Sequence, residues 1–346
     1  MPETLVGDAS LLELMQYQGH MEARRRPHEP SWVDIMAIFR CYLGEIRTGG
    51  GMYSGATTGT TTAFIDDVDE ISDAGQNVID STGLLAAELF VNFLKGAIIP
   101  SGIDWVQYDT PIEFIGNLDV RTRLFTASLK LLKELKDSNY YVATPLALFP
   151  MVLIGNGVLF VDEKTPILRS DGSTWGGALF EHVDYEDAWW RTGRGNEIVM
   201  FSRRARILVS QLLAKFGDQF KESKAVKAAI GQGGAAGVVL IHHFVYQNQQ
   251  PYPGGRKPRT NLPWVSEWIL TDTRGDPERL EEGGFNLFPY PVGRWDLVRN
   301  NEYACGRGQL ARPDGKTLNL AQELAMEAGE LDIYPPTMVD DSDTLL

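Results

Sequence analysis

Residues 288–331, FPYPVGRWDLVRNNEYACGRGQLARPDGKTLNLAQELAMEAGEL, constrain the fold of this chain more than any other stretch. Pro289 and Pro291 each fix a backbone angle and remove an N–H donor, so the segment enters as a kinked, extended path and not as a helix. A second bend follows at Gly306 and Gly308. Beyond it, Ala321, Leu324, Ala325, Ala328 and Leu331 recur at helical spacing and give an apolar face, with Thr317 as the expected cap. Glu323, Glu327 and Glu330 fall on another side, with no lysine four residues on. Such a like-charge stripe costs a few tenths of a kcal/mol per pair, roughly. It is either a solvated face or one that faces something it must not hold.

Gly315-Lys316-Thr317 in the same stretch resembles the end of a phosphate-binding loop, which makes a nucleotide-binding enzyme the alternative function. The spacing argues against it. The cradle needs a glycine where Leu310 stands, Pro313 removes a donor inside it, and the residues ahead are Asn300, Asn301 and Glu302 instead of an apolar strand.

The totals exclude several classes. With 46 acidic against 32 basic residues the chain carries a formal charge of −14, so its overall field repels nucleic acid, and tight non-specific holding of DNA is excluded. Two cysteines far apart, Cys41 and Cys305, make no disulfide framework and no cysteine zinc site. The first residues lack a basic n-region and a cleavage pattern, so no secretory signal is expected. The longest apolar run, residues 145–161, is broken by Pro150, Gly155, Asn156 and Gly157 and reads as a buried helix entering a strand.

Taken in order, residues 10–25 predict an amphipathic helix whose last arginines, Arg24, Arg25 and Arg26, form a solvated end. Ser31 is expected to cap a second helix with Asp34 in its first turn. The Gly- and Thr-rich residues 48–64 read as a surface loop, and Asp66, Asp67, Asp69, Glu70 and Asp73 as solvated acids. Residues 79–94 predict an apolar helix. Residues 119–136 predict a helix with Leu124, Leu131, Leu132 and Leu135 on one side and Lys130, Lys133 and Lys136 on the other. Strands are expected at 157–162, 178–183, 198–202, 238–246 and 264–271, with turns at 189–195 and Asp171-Gly172, a turn or loop at Gly254-Gly255, and a helix over 206–220. The fold class is α+β. His242 and His243 sit side by side on a strand, so their rings point to opposite faces and cannot chelate one metal. No metal site and no cofactor is expected.

An ordered series of short motifs is similar to a known family. GQNVIDSTG (75–83) leads into the apolar helix and an extended exit from Pro100 to Trp105. Ser138-Asn139-Tyr140, Gly155-Asn156-Gly157, the helix ending KFG (215–217), VVLIHHFVYQ (238–247) and Trp264 to Trp268 follow. FPYPVGRW (288–295), Gly306-Arg307-Gly308 and Pro335-Pro336 complete the series. It resembles the head-to-tail connecting, or portal, proteins of short-tailed bacteriophages. The resemblance implies a ring of identical subunits, usually a dodecamer, at one capsid vertex. It implies a central channel for double-stranded DNA, a terminase motor, a major capsid protein and a tail adaptor as partners, residence in the virion after assembly in the host cytoplasm, and no enzymatic activity.

On that resemblance residues 1–202 are wing-like, 203–235 a helical stem-type region, 236–300 a β-rich clip-type region, 301–332 a loop and stem-type helix, and 333–346 an acidic tail. Cys305 stands where the family leads one to expect tyrosine, and the chain stops before the family's C-terminal wing and crown part. Glu323, Glu327 and Glu330 are expected to line the channel, because a conduit for DNA needs a repulsive wall. Tyr252, Trp264 and Trp268 are expected to meet the tail adaptor, and strand pairing between neighbours in 238–290 would help to close the ring.

Overall fold

The computed structural model describes residues 10–40, 79–114, 116–168, 174–234, 237–248, 262–272, 276–299 and 301–334. The readings at residues 48–64 and 66–73, at Asp171-Gly172, at Tyr252 and Gly254-Gly255, and at Pro335-Pro336 lie outside them. The described residues form an α+β body with two antiparallel sheets. Its helices are α1 (Leu11–Arg25), α2 (Glu29–Arg40), α3 (Thr82–Ile98), α4 (Leu118–Asp137), α5 (Tyr140–Leu153), α6 (Val209–Phe216), α7 (Lys224–Gly233) and α8 (Arg307–Ile333). Its strands are β1 (Asn156–Leu168), β2 (Thr174–Val183), β3 (Ala188–Thr192), β4 (Ile198–Leu208), β5 (Val238–Gln247), β6 (Trp264–Leu270), β7 (Glu278–Phe285) and β8 (Val292–Arg294).

The sheet β3-β4-β5-β6-β7 is the frame. One face carries Trp189, Met200, Phe244, Tyr246, Val265 and Ile269, covered by Leu14 and Met21 of α1. Ser10 starts that helix with a closed capping box, its hydroxyl accepting from the Glu13 N–H and its own N–H donating to the Glu13 carboxylate. Trp190, Phe201 and Val245 point the other way, into the largest core, with Trp32, Ile35, Met36 and Phe39 of α2, Val158 and Phe160 of β1, Tyr290 and Tyr303. That core joins the large sheet to the small one, β2-β1-β8. At one end α6 and α7 bury Leu212, Val226 and Ala229 on Val239, Ile241 and Leu270.

Several local expectations change. Arg25 is no solvated residue. Its guanidinium lies over Trp189, bonds Glu29, and donates to the carbonyls of Tyr185, Glu186 and Ala188, filling a site where the acceptors of the 3-10 turn at 185–187 and the start of β3 converge. Ser31 lies inside α2, where Pro30 sits in the first turn and needs no N–H partner. Trp189 belongs to a strand, not a turn, paired with Ser202. Residues 206–208 extend β4 against Val238, Val239 and Leu240, so the helix expected from Arg206 starts only at Val209.

Residues 289–294 run back along β1. The Val161 and Leu159 N–H groups donate to the carbonyls of Pro289 and Pro291, and β8 then pairs with residues 156–158. Asp296 bridges Cys305, and Asn156 ties the two ends together. Its Nδ2 donates to the carbonyls of Ile154 and Ala304, and its Oδ1 accepts from the Ala304 N–H. Gly155 beside it has φ +94, and a Cβ there would stand 2.5 Å from the Cys305 carbonyl carbon, so the crossing needs glycine on both counts.

Candidate functional site

This crossing launches α8, the longest helix among the described residues. At about 1.5 Å per residue its 27 residues span about 40 Å. The first half is docked. Gly308 lies so close to α2 and α5 that a Cβ would stand 2.6 Å from Ile35 Cγ2 and 2.7 Å from the Leu153 carbonyl oxygen. Arg312 donates to the Ser31 hydroxyl at 3.0 Å, and Lys316 pairs with Asp34 at 2.7 Å. The Asn319 side chain accepts from the N–H groups of Ile79 and Asp80. Past Asn319 the helix stands clear, and every residue from Leu320 to Tyr334 is exposed. Leu324 is 55 % and Leu331 59 % exposed, so the expected apolar face exists but nothing described covers it.

Glu323, Glu327 and Glu330 all lie on this free arm. At about 100° per residue, Leu320, Leu324, Ala328 and Leu331 form one stripe, Glu323 and Glu330 stand about a quarter-turn away, and Glu327 lies between. None of the three acids has a basic partner among the described residues.

The alternative reading of Gly315-Lys316-Thr317 as a phosphate loop is overturned. The three residues are interior to α8, where their N–H groups are spent in the helix ladder. Lys316 reaches Asp34, and the Thr317 hydroxyl donates to the Pro313 carbonyl at 3.0 Å. Thr317 is therefore no cap either. The helix starts eleven residues earlier, at Gly306, and runs through Pro313.

Among the residues expected at an adaptor contact, Tyr252 lies outside the described ones. Trp264 and Trp268 are half-buried. Trp264 packs on Phe288, and Trp268 lies flat on His243 with ring centres 3.9 Å apart and Lys215 over its other side. Both sit on β6, paired on each side, so β3 and β7 are the edges of the large sheet. His242 and His243 point to opposite faces as expected. His242 bonds the Thr271 hydroxyl. His243 bonds the hydroxyls of Tyr290 and Ser266, joining the two sheets. Burial, helped by Arg204, pushes His242 down to about 3, and burial with Arg203 and Lys215 holds His243 well below the ordinary range. Both are neutral core residues. Glu267, buried next to Arg279, accepts from the Tyr246 hydroxyl at 2.7 Å. Burial raises it above the usual carboxylate range.

Two further exposed surfaces escaped the sequence reading. On α3, Leu89 and Phe93 are 72 % and 70 % exposed beside Leu85. On α4, Leu118 is 74 % and Phe125 53 % exposed beside Leu129, on the same side as Lys133. The signal was present, since these apolar residues fall on the polar side of the helix, away from Leu124, Leu131 and Leu135. Apolar faces of this kind mark surfaces that meet another protein.

A family model described as "Bacteriophage head to tail connecting protein" matches residues 13–345. The chain belongs to this connector family. It is a structural component of the phage virion, acting where head and tail are joined. Membership is consistent with the mixed fold and with helices that carry uncovered apolar faces. No curated protein matches the chain. No helix among the described residues is long and apolar enough to cross a membrane.

Proposed function

We propose that the chain is the subunit of a closed ring, a dodecamer by the family resemblance, at one capsid vertex. Double-stranded DNA enters through its channel, driven by a terminase motor, and leaves the same way at ejection. The ring meets the major capsid protein around its rim and a tail adaptor below. The observation that carries this reading is the free half of α8, about 21 Å of helix with an acidic side and an uncovered apolar stripe. A helix this apolar and this exposed is stable only when covered, and a ring covers it with neighbouring copies.

Glu323, Glu327 and Glu330 face the channel in this proposal. Repeated round a ring, they set carboxylates against phosphates, so DNA slides without the counterion release that would hold it. The wing-, stem- and clip-type division at residues 202, 235, 300 and 332 stays part of the proposal. The large sheet crosses the first two limits, so those three parts share one folded body. The half-buried Trp264 and Trp268, with Tyr252, remain the proposed adaptor contact. Negative-stain images of the purified 346-residue chain test the reading. Rings with a central hole support it, and compact single particles at every concentration refute it.

A further inference from the structure

The arm of α8 and the outer face of α4 match one another, yet one chain leaves both exposed. Residues 320–334 carry Glu323, Glu327, Glu330 and Asp332 and no base. Helix α4 carries five bases against three carboxylates in a chain that is otherwise strongly acidic. Within α4, Arg123 pairs with Asp119 and Lys136 with Asp104, whereas Arg121, Lys130 and Lys133 have no acidic partner among the described residues. Each helix also presents an uncovered apolar stripe. On the arm it is Leu320, Leu324 and Leu331, and on α4 it is Leu118, Phe125 and Leu129. The stripes run about 17 Å each, long enough for one helix to seat on the other at the usual 8–10 Å between axes.

We infer that the arm of one copy docks on α4 of the next. This heterologous contact uses two different patches, so it propagates from copy to copy and closes only as a ring. It rests on the ring reading and adds which surfaces mate. It also agrees with the acidic channel. In a ring, the neighbour lies tangentially and the axis radially, a quarter-turn apart, as are the leucine stripe and the pair Glu323 and Glu330. Glu327, between them, stands where the channel wall meets this seam, so it keeps its place on the channel side while lying nearest the bases of the neighbouring α4. The opposite net charges of the two helices select this pairing over arm on arm, which would set like charges together.

The test is a pair of cysteines in the full chain, Phe125→Cys with Leu324→Cys, both at exposed positions that the fold does not use. Oxidation of the double variant is expected to give a ladder of covalent dimers, trimers and larger species on a non-reducing gel. Wild type, with its native Cys41 and Cys305, and each single variant stay at monomer mass. Rings in images of the double variant without such a ladder overturn the docking and leave the ring reading standing. A dimer from Leu324→Cys alone also overturns it, because arm then meets arm. Absence of rings in wild type overturns the ring reading and the docking with it. A second variant, Lys130→Glu with Lys133→Glu, is expected to lower the fraction assembled at least tenfold at equal concentration, and an unchanged fraction counts against the docking.

Discussion

Replacing Asn156 with alanine removes the side chain that holds the launch of α8 to the start of β1. Asn156 is fully buried, as is Ala304, whose N–H and carbonyl are both bonded to its amide. Alanine leaves these two backbone groups without a partner in the interior. At about 1–3 kcal/mol for each of the two unmet buried groups, the expected loss is about 2–6 kcal/mol. Asparagine to aspartate keeps an acceptor for the Ala304 N–H but turns a second oxygen toward the carbonyls of Ile154 and Ala304. A buried carboxyl there is pushed above its unfolded value of about 3.9, so the fold prefers it protonated. The variant's deficit should shrink as pH falls from 7 toward 4. Urea unfolding followed by tryptophan fluorescence reads both effects, as a lower midpoint with an unchanged slope. An alanine variant within about 0.5 kcal/mol of wild type would show that the amide does not carry this crossing.

Other outcomes follow from the same structure. Both core histidines are held neutral, so the unfolded chain binds more protons below its own histidine pKa of about 6.5. Stability is full above that pH and falls as pH drops, by about 2 kcal/mol from His242 alone at pH 5. Buried Glu267 and Glu302 are shifted up and act in the opposite sense, so the histidine contribution is read as the difference between wild type and His242→Gln, and equal pH slopes would refute it. Lys316→Ala removes a half-exposed ion pair and should cost less than about 1 kcal/mol in urea. It should also leave retention on an ATP column unchanged, whereas a loss of retention would revive the phosphate-loop reading. Reversing Glu323 and Glu330, the two acids turned a quarter-turn away from the docked stripe, to lysine while keeping Glu327 should turn rings that ignore duplex DNA into rings that retain it, with a steep salt dependence in a gel-shift assay. No gain in retention would remove these acids from the channel wall.

Much of the architecture was legible because local chemistry and tertiary context agree there. The kinks at Pro289 and Pro291 do set an extended return path, and the apolar periodicity of residues 119–136 gave α4 to within one residue at either end. Where two patterns overlapped, context decided. In residues 204–207 charged and apolar residues alternate with period two, but Ile207, Leu208, Leu212 and Leu213 also fit a helix, and pairing with β5 settled the first half as strand. β7, ERLEEGGF, was missed because only Leu280 of its residues is buried, so an edge strand rich in Glu and Gly shows no apolar alternation. The cap at Thr317 failed because the helix continues upstream through Pro313, held by contacts of Gly308, Arg312 and Lys316 with α2 that no local rule contains. The apolar face of residues 321–331 is the most instructive case. Periodicity says that such a face will be covered, and it cannot say whether the cover comes from the same chain or from another copy.

The mass of the assembled chain tests the central claim most directly. Mass photometry of the purified 346-residue chain is predicted to show one dominant species at an integral multiple of 38.5 kDa, with 12 × 38.5 = 462 kDa for the dodecamer. A single species at 38.5 kDa, unchanged as concentration rises, would contradict the account.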